Sequence, residues 1–174
     1  MRPALGGQDD VMNRPDFPRA PFALLLVASL GLVGGGLVLA KLMNLAACPL
    51  CIIQRLLYLL LAVAAAAGLL VAAKPVGRRL AAAATALVAG TGAFVAGYQV
   101  WLQRFAGDVT CSADSPWWED LVDWLGERVP LMFQANGLCS DPAWKFLGLA
   151  IADWSLMAFA GFTLLSLWVV FRRR

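Results

Sequence analysis

Residues 47–55 read Ala47-Cys48-Pro49-Leu50-Cys51-Ile52-Ile53-Gln54-Arg55, a Cys-x-x-Cys pair at the start of a long apolar segment. Pro49 suits the first position of a helix, where a fixed φ is preorganised and no N–H is needed. We therefore predict that Cys48 caps a helix and that Cys51 lies in its first turn. Both sulfurs would then lie near the positive end of the helix dipole, which favours the thiolate, the nucleophile of disulfide exchange.

Arg55 follows Cys51 by four residues, so the two side chains share one face of the predicted helix. Its guanidinium adds a permanent positive charge beside the cysteine pair. Simpler interpretations stay open here. The cysteines can be a structural disulfide or two buried thiols, and Arg55 can be a boundary residue that reaches toward the membrane surface.

The composition indicates a membrane protein and excludes several kinds of site. Of 174 residues, 61% are hydrophobic and 14% charged, far from the soluble average. The chain contains no histidine, which excludes histidine–metal ligation, bis-histidine haem and a histidine general base. Its four cysteines formally permit a zinc site, but we expect no metal. The net charge of +3 gives no reason to expect nucleic acid as a partner.

Four apolar segments are long enough to cross a bilayer as helices. We predict spans at about residues 21–40, 49–73, 80–103 and 154–171, with outer loops at 41–48 and 104–153. Residues 1–20, rich in proline and glycine, are expected to form a disordered tail. A cleavable signal peptide is the alternative for the first segment, but the apolar run is longer than a typical signal core. The predicted fold is an all-α membrane protein, with residues 21–174 as a single four-helix transmembrane domain.

The charges of the connecting segments predict the orientation. The turn at 74–79 carries three basic residues and no acid, and the chain ends in three arginines. Residues 104–153 instead carry eight acids, namely Asp108, Asp114, Glu119, Asp120, Asp123, Glu127, Asp141 and Asp153. Basic loops stay in the cytoplasm, so we expect both termini there and both outer loops on the other face. All four cysteines would then lie at or near a face that bacteria keep oxidising.

The second outer loop contains a candidate short helix. Ser115 and Pro116 suit its cap and first position, and apolar residues from Trp117 to Val129 fall opposite the acidic ones. Such a helix is expected to lie in the membrane interface; the alternative is a small helix packed on the loop itself. Further along, Gly137 beside Cys139 predicts a mobile turn around that cysteine.

Together these features resemble the DsbB family of disulfide bond formation proteins. The resemblance rests on the four spans, on Cys-x-x-Cys-x-x-x-Arg at 48–55 and on the two cysteines of the second outer loop. It is extended by Trp101-Leu102-Gln103 and by Trp144-Lys145-Phe146-Leu147-Gly148-Leu149. The resemblance implies an enzyme of the bacterial inner membrane that reoxidises a periplasmic thioredoxin-like protein of the DsbA type. It would pass two electrons to a membrane quinone, either ubiquinone or menaquinone.

The resemblance also implies roles for individual residues. Cys111 and Cys139 would be the pair that faces the protein partner. Cys48 and Cys51 would face the quinone, with Arg55 close to the quinone head. Gln99 stands where the family often has histidine; it can donate a hydrogen bond to a quinone oxygen but cannot titrate.

Four cysteines permit three pairings, and sequence alone does not choose among them. We expect resting bonds Cys48–Cys51 and Cys111–Cys139. The partner is then expected to attack Cys111 and release Cys139, which exchanges with Cys48 and leaves Cys51 toward the quinone. Two other classes stay open. One is an enzyme of the vitamin K epoxide reductase type, although its loop pair precedes the Cys-x-x-Cys pair. The other is a membrane scaffold with structural disulfides or a bound metal.

Overall fold

The computed structural model describes residues 19–105, 117–142 and 144–172. Their elements, in chain order, are α1 (Ala20–Leu42), α2 (Pro49–Val71), α3 (Pro75–Phe105), α4 (Trp117–Arg128), α5 (Pro130–Phe133), β1 (Lys145–Phe146), β2 (Leu149–Ala150) and α6 (Ile151–Phe171). Helices α1, α2, α3 and α6 are long and apolar enough to cross a membrane. The predicted four-helix transmembrane fold is therefore confirmed, whereas the proposed N-terminal tail lies almost entirely outside the described residues.

The four long helices run up and down in one bundle. At the end opposite the cysteines, Phe22, Ala72, Ala82 and Val169 form a buried cluster that joins all four. Helix α3 packs most extensively against α6, then against α2, and α2 packs against α1. Gly92 permits the closest of these contacts, because the Phe159 ring occupies the space where a Cβ would lie. The outward apolar side chains suit a lipid environment, in which the backbone polar groups of a helix satisfy each other.

Two helix boundaries differ from the sequence prediction. Helix α3 begins at Pro75, so the predicted basic turn at 74–79 is mostly its first turn, and the connection itself is residues 72–74. Proline at the first position explains the early start. Helix α6 begins at Ile151 rather than near 154, because the Asp153 carboxylate accepts the Ala150 N–H at 2.9 Å and caps the helix. The same carboxylate pairs with Arg104 at 2.6 Å and so ties α6 to the end of α3.

The short helix predicted in the second outer loop is present as α4, although its predicted cap, Ser115-Pro116, lies outside the described residues. Val122 on its apolar side is fully buried and clusters with Ile52 of α2 and Phe133 of α5. Helix α4 therefore covers the outer end of α2 and does more than pack on its own loop. Its location in the membrane interface stays a prediction.

A two-stranded hairpin, which the sequence did not predict, precedes α6. Strands β1 and β2 pair antiparallel, with Lys145 opposite Ala150 and Phe146 opposite Leu149. Leu147 and Gly148 connect them with φ values of 53° and 80°, the left-handed backbone of a two-residue turn. The Trp154 indole N–H donates to the Phe146 carbonyl at 3.4 Å, so the hairpin is fixed on the first turn of α6.

Candidate functional site

The cysteine pair lies at the N-terminus of α2, as predicted. Cys48 is the cap residue, with φ −90° and ψ 163°, and its sulfur accepts the Cys51 N–H at 3.4 Å. Cys51 lies in the first turn, and the two Sγ atoms are 3.0 Å apart. Cys48, Cys51 and Cys139 are free thiols in this structure. The predicted resting disulfides therefore stay predictions.

The second outer loop brings Cys139 to this pair. The N–H groups of Asn136 and Gly137 both donate to the Ala47 carbonyl, each at 2.9 Å. A Cβ on Gly137 would lie 2.6 Å from the Ala46 carbonyl oxygen, so only glycine permits this approach. As a result, the Cys139 sulfur lies beside Cys48, close enough for each to shift the pKa of the other. The turn expected to be mobile is docked here, and Gly137 provides the space for docking.

The proximity of Cys48 and Cys139 shifts the pKa values of the two thiols in opposite directions. A hydrogen bond from the Cys48 thiol lowers the pKa of Cys139 below its usual value, and the Leu50 N–H at the start of α2 lowers it further. Burial acts in the opposite direction and raises it. The pKa of Cys48 is raised, because its single S–H is held between the acceptor sulfurs of Cys139 and Cys51 and because the thiol is buried. The Cys48 thiol, with a smaller contribution from the Leu50 N–H, thus favours the thiolate at Cys139. The prediction that the helix N-terminus favours the thiolate at Cys48 is wrong for this arrangement, because Cys139 accepts the Cys48 proton. The sequence did not show that Cys139 shares the site.

A cavity of about 600 Å³ opens beside the pair, between the outer halves of the four long helices. Most of its wall is apolar, and on α1 the wall includes Gly35 and Gly36, whose missing side chains leave room. Its polar lining includes Cys51, Arg55 and Gln99. A largely apolar cavity of this size with a few converging polar groups suits a small, mostly apolar ligand with a polar group.

Two buried glutamines meet at the inner side of the cysteine pair. Gln99 of α3 points its Nε2 at the sulfurs of Cys48 and Cys51, each at 3.3 Å. The Gln54 Nε2 on α2 donates to the Gln99 Oε1 at 2.6 Å. Gln99 therefore contacts the cysteines, as a member of the predicted site. Gln54 was missed, although a glutamine inside a membrane span is itself a signal of function.

Arg55 faces the same cavity as Cys51, as the helical spacing predicted. Its Nη1 donates to the backbone carbonyl of Met132 in α5 at 2.7 Å. Arg55 thus also holds the second outer loop against α2. One turn further in, the Tyr58 hydroxyl lies 3.0 Å from the Ser155 hydroxyl and its ring stacks on Phe159, which joins α2 to α6 below the cavity.

The structure therefore brings together five of the six predicted site residues. Cys48, Cys51, Arg55 and Gln99 line one cavity, and Cys139 lies beside Cys48. Cys111 lies outside the described residues. The contact from Arg55 to a backbone carbonyl 77 positions away left no signal in the sequence.

Comparison with known proteins gives an independent observation. Residues 18–169 match the family model described as disulfide bond formation protein DsbB. The chain is 45% identical over 145 residues to a disulfide bond formation protein B of Dechloromonas aromatica, covering 82% of this chain and 86% of that protein. It is 36% identical over 165 residues to the protein of that name from Nitrosospira multiformis, covering 93% and 97%. The corresponding protein of Nitrosomonas eutropha is 37% identical over 150 residues, covering 85% and 91%.

Proposed function

The chain belongs to the DsbB family of disulfide bond formation proteins, and from this premise we propose that it reoxidises a periplasmic thioredoxin-like protein of the DsbA type and passes the electrons to a membrane quinone. Membership of this family, with four membrane-spanning helices, makes the chain a multi-pass membrane protein that acts in disulfide bond formation. One feature of the site supports the proposal on partner and quinone. The loop that carries Cys139 is docked by two hydrogen bonds on Ala47, beside Cys48 and a cavity lined by Cys48 and Cys51.

The first exchange takes place at the outer loop. A thiolate of the partner attacks Cys111, which forms a partner–Cys111 bond, breaks Cys111–Cys139 and leaves Cys139 as a thiolate. The partner's second thiolate then attacks its own sulfur in that bond. The partner leaves oxidised, and Cys111 leaves as a thiolate.

The second exchange moves the electron pair to the membrane. The Cys139 thiolate attacks Cys48, which breaks Cys48–Cys51 and leaves Cys51 as a thiolate. The Cys111 thiolate then attacks Cys139, which restores Cys111–Cys139 and releases Cys48. The two electrons of the partner now reside on the Cys48–Cys51 dithiol. The position of Cys139 beside Cys48 supports this direction. The Leu50 N–H also lowers the pKa of Cys139 without needing a Cys48 proton, and so favours the thiolate that must attack.

The dithiol needs a strong electron acceptor, because DsbA-type proteins are themselves strong oxidants with potentials of about −120 mV. A quinone bound in the cavity would accept the two electrons and the two protons. Cys51, Arg55 and Gln99 face the same space and would hold its polar head, while the apolar walls exclude water. Arg55 adds a fixed positive charge, and the Gln99 amide donates toward the sulfurs.

The proposed location is the bacterial inner membrane, with both termini in the cytoplasm and both outer loops in the periplasm. The charge asymmetry of the loops supports this orientation. In that orientation Cys139 and the cavity entrance face the periplasm, where a soluble partner is found. Helix α4 would then lie at the periplasmic surface of the bilayer, with Trp118 at its start.

The test is to mix the purified protein with a reduced thioredoxin-like dithiol protein and a soluble ubiquinone or menaquinone analogue, and to follow the quinone absorbance. We expect catalytic quinone reduction that matches partner oxidation, and none in Cys51→Ser. A membrane scaffold with structural disulfides would leave the quinone absorbance unchanged, and that result would refute the proposal.

A further inference from the structure

We infer that Gln54 is a positioning residue that fixes the side-chain amide of Gln99 with its N–H donors toward Cys48 and Cys51. Gln54 follows Cys51 by three residues on α2, so the two point to the same side of the helix. Its Nε2 donates to the Gln99 Oε1 at 2.6 Å, within a buried contact between α2 and α3. The inference rests on the proposed function, because it concerns the thiolate formed at the cysteine pair.

A glutamine amide has two faces with opposite chemistry, since its oxygen only accepts and its nitrogen only donates hydrogen bonds. In the observed orientation, the Gln99 oxygen receives the Gln54 donor and the Gln99 nitrogen lies 3.3 Å from both sulfurs. A rotation of the amide by half a turn would bring two NH₂ groups together and direct the carbonyl oxygen at the sulfurs. With the Gln54 Nε2 in its observed place, Gln54 therefore disfavours the reversed orientation of the Gln99 amide.

Burial increases the free-energy difference between the two orientations of the Gln99 amide. Gln99 and Gln54 are 2% and 5% exposed, so water does not satisfy a misplaced donor or acceptor. A buried polar group without a partner is costly, more so in a membrane span. The pair is therefore held as a unit, with Gln54 satisfying the oxygen of Gln99 and leaving its nitrogen for the sulfurs.

The orientation matters most at one step of the proposed exchange. When Cys139 attacks Cys48, Cys51 leaves as a thiolate and becomes a strong hydrogen-bond acceptor. An N–H already aimed at this position stabilises the new charge without reorganisation. The reversed amide would instead direct a partial negative charge at the thiolate. Gln54 does not touch the reacting sulfurs in this account and acts through Gln99 alone.

A double-mutant cycle tests this dependence. In a Cys111→Ser/Cys139→Ser background, only Cys48 and Cys51 react with iodoacetamide, and neither quinone nor partner is needed. We expect Gln54→Met to slow alkylation of the reduced pair about 2- to 13-fold at a pH where the thiolate is the minor form, the range of one net hydrogen bond. The same change in a Gln99→Met background should have no effect within twofold.

Equal slowing by Gln54→Met in both backgrounds would overturn the inference, because it would show a packing role independent of Gln99. An unchanged rate in the single variant would overturn it as well. Gln134→Met, which removes an exposed amide from the outer loop, is the matched control and should leave the rate unchanged. If Gln54→Met does not accumulate in membranes, Gln54→Asn, which withdraws the amide by one methylene, supplies the same comparison. A protein that fails to reduce quinone but shows this cycle would refute the proposed function and retain the inference.

Discussion

Replacing Gly137 by alanine tests whether docking of the outer loop brings Cys139 to Cys48. The added Cβ would lie 2.6 Å from the Ala46 carbonyl oxygen and 3.1 Å from the Ala46 carbonyl carbon. Both are backbone atoms, so the clash is relieved only if the loop withdraws. Gly137 does not adopt a positive φ, so alanine is compatible with its backbone and the effect is steric.

The size of the effect follows from the contacts that withdrawal breaks. A shift of roughly 0.6 Å would stretch the two 2.9 Å bonds from Asn136 and Gly137 to Ala47 toward the limit of a useful hydrogen bond. Each is worth about 0.5–1.5 kcal/mol net, so docking loses about 1–3 kcal/mol. The docking equilibrium should therefore fall about 5- to 150-fold, as should the effective concentration of Cys139 at Cys48.

The assay uses a Cys51→Ser/Cys111→Ser background, which leaves Cys48 and Cys139 as the only pair. Equilibration in glutathione buffers gives their effective concentration from the fraction of intramolecular disulfide. Gly90→Ala and Gly161→Ala are matched controls, because an added Cβ at either position meets no described atom within 4 Å beyond its own stretch of helix. A Gly137→Ala value within twofold of the parent would refute the docking argument.

Three further predictions concern Arg55, Cys48 and the orientation. Arg55→Ala should slow quinone reduction, because the charge in the cavity is lost, and lower the effective concentration of Cys139 at Cys48, because the bond to Met132 is lost. Arg55→Lys keeps the charge and should restore part of the quinone reduction rate. Unchanged quinone kinetics in Arg55→Ala would show that Arg55 only anchors the loop. Cys48→Ala should move the pH profile of Cys139 alkylation to higher pH, because it removes the donor that lowers the pKa of Cys139, and a profile unmoved or shifted to lower pH would contradict that cause. In intact reduced cells, a membrane-impermeant thiol reagent should label Cys111 and Cys139 from the periplasmic side, and labelling only from the cytoplasm would refute the orientation.

The spans and the placement of Cys48, Cys51 and Arg55 were predictable because each depends on local sequence. Twenty apolar residues suffice for a span, and proline after Cys48 marks a helix start. Arg55 shares a face with Cys51 through helix spacing alone. Helices α3 and α6 begin before the predicted spans for local reasons too, since Pro75 and Asp153 are helix-start signals that an apolar pattern alone does not include.

The interior of the site depends on contacts between distant segments, which the sequence does not display. Gly137 was expected to make a mobile turn, but the sequence does not distinguish a glycine needed for flexibility from one needed for close approach of two backbones. The pKa of Cys48 was expected to fall with the helix dipole, and it rises because Cys139 arrives from a loop some ninety residues away. Gln54 could have been predicted as a site residue, because a polar side chain within an apolar span is itself a sign of function.

The central claim is that the Cys139 thiolate attacks Cys48, forms a Cys48–Cys139 disulfide and releases Cys51 as the free thiolate at the cavity. The most direct test is a Cys111→Ser variant with Cys48–Cys51 oxidised, in which Cys139 has no other partner. After acid quenching, alkylation and proteolysis, mass spectrometry identifies the linked peptides. The account predicts a Cys48–Cys139 bond with Cys51 alkylated. A Cys51–Cys139 bond, or Cys139 recovered only as the alkylated thiol, would contradict it.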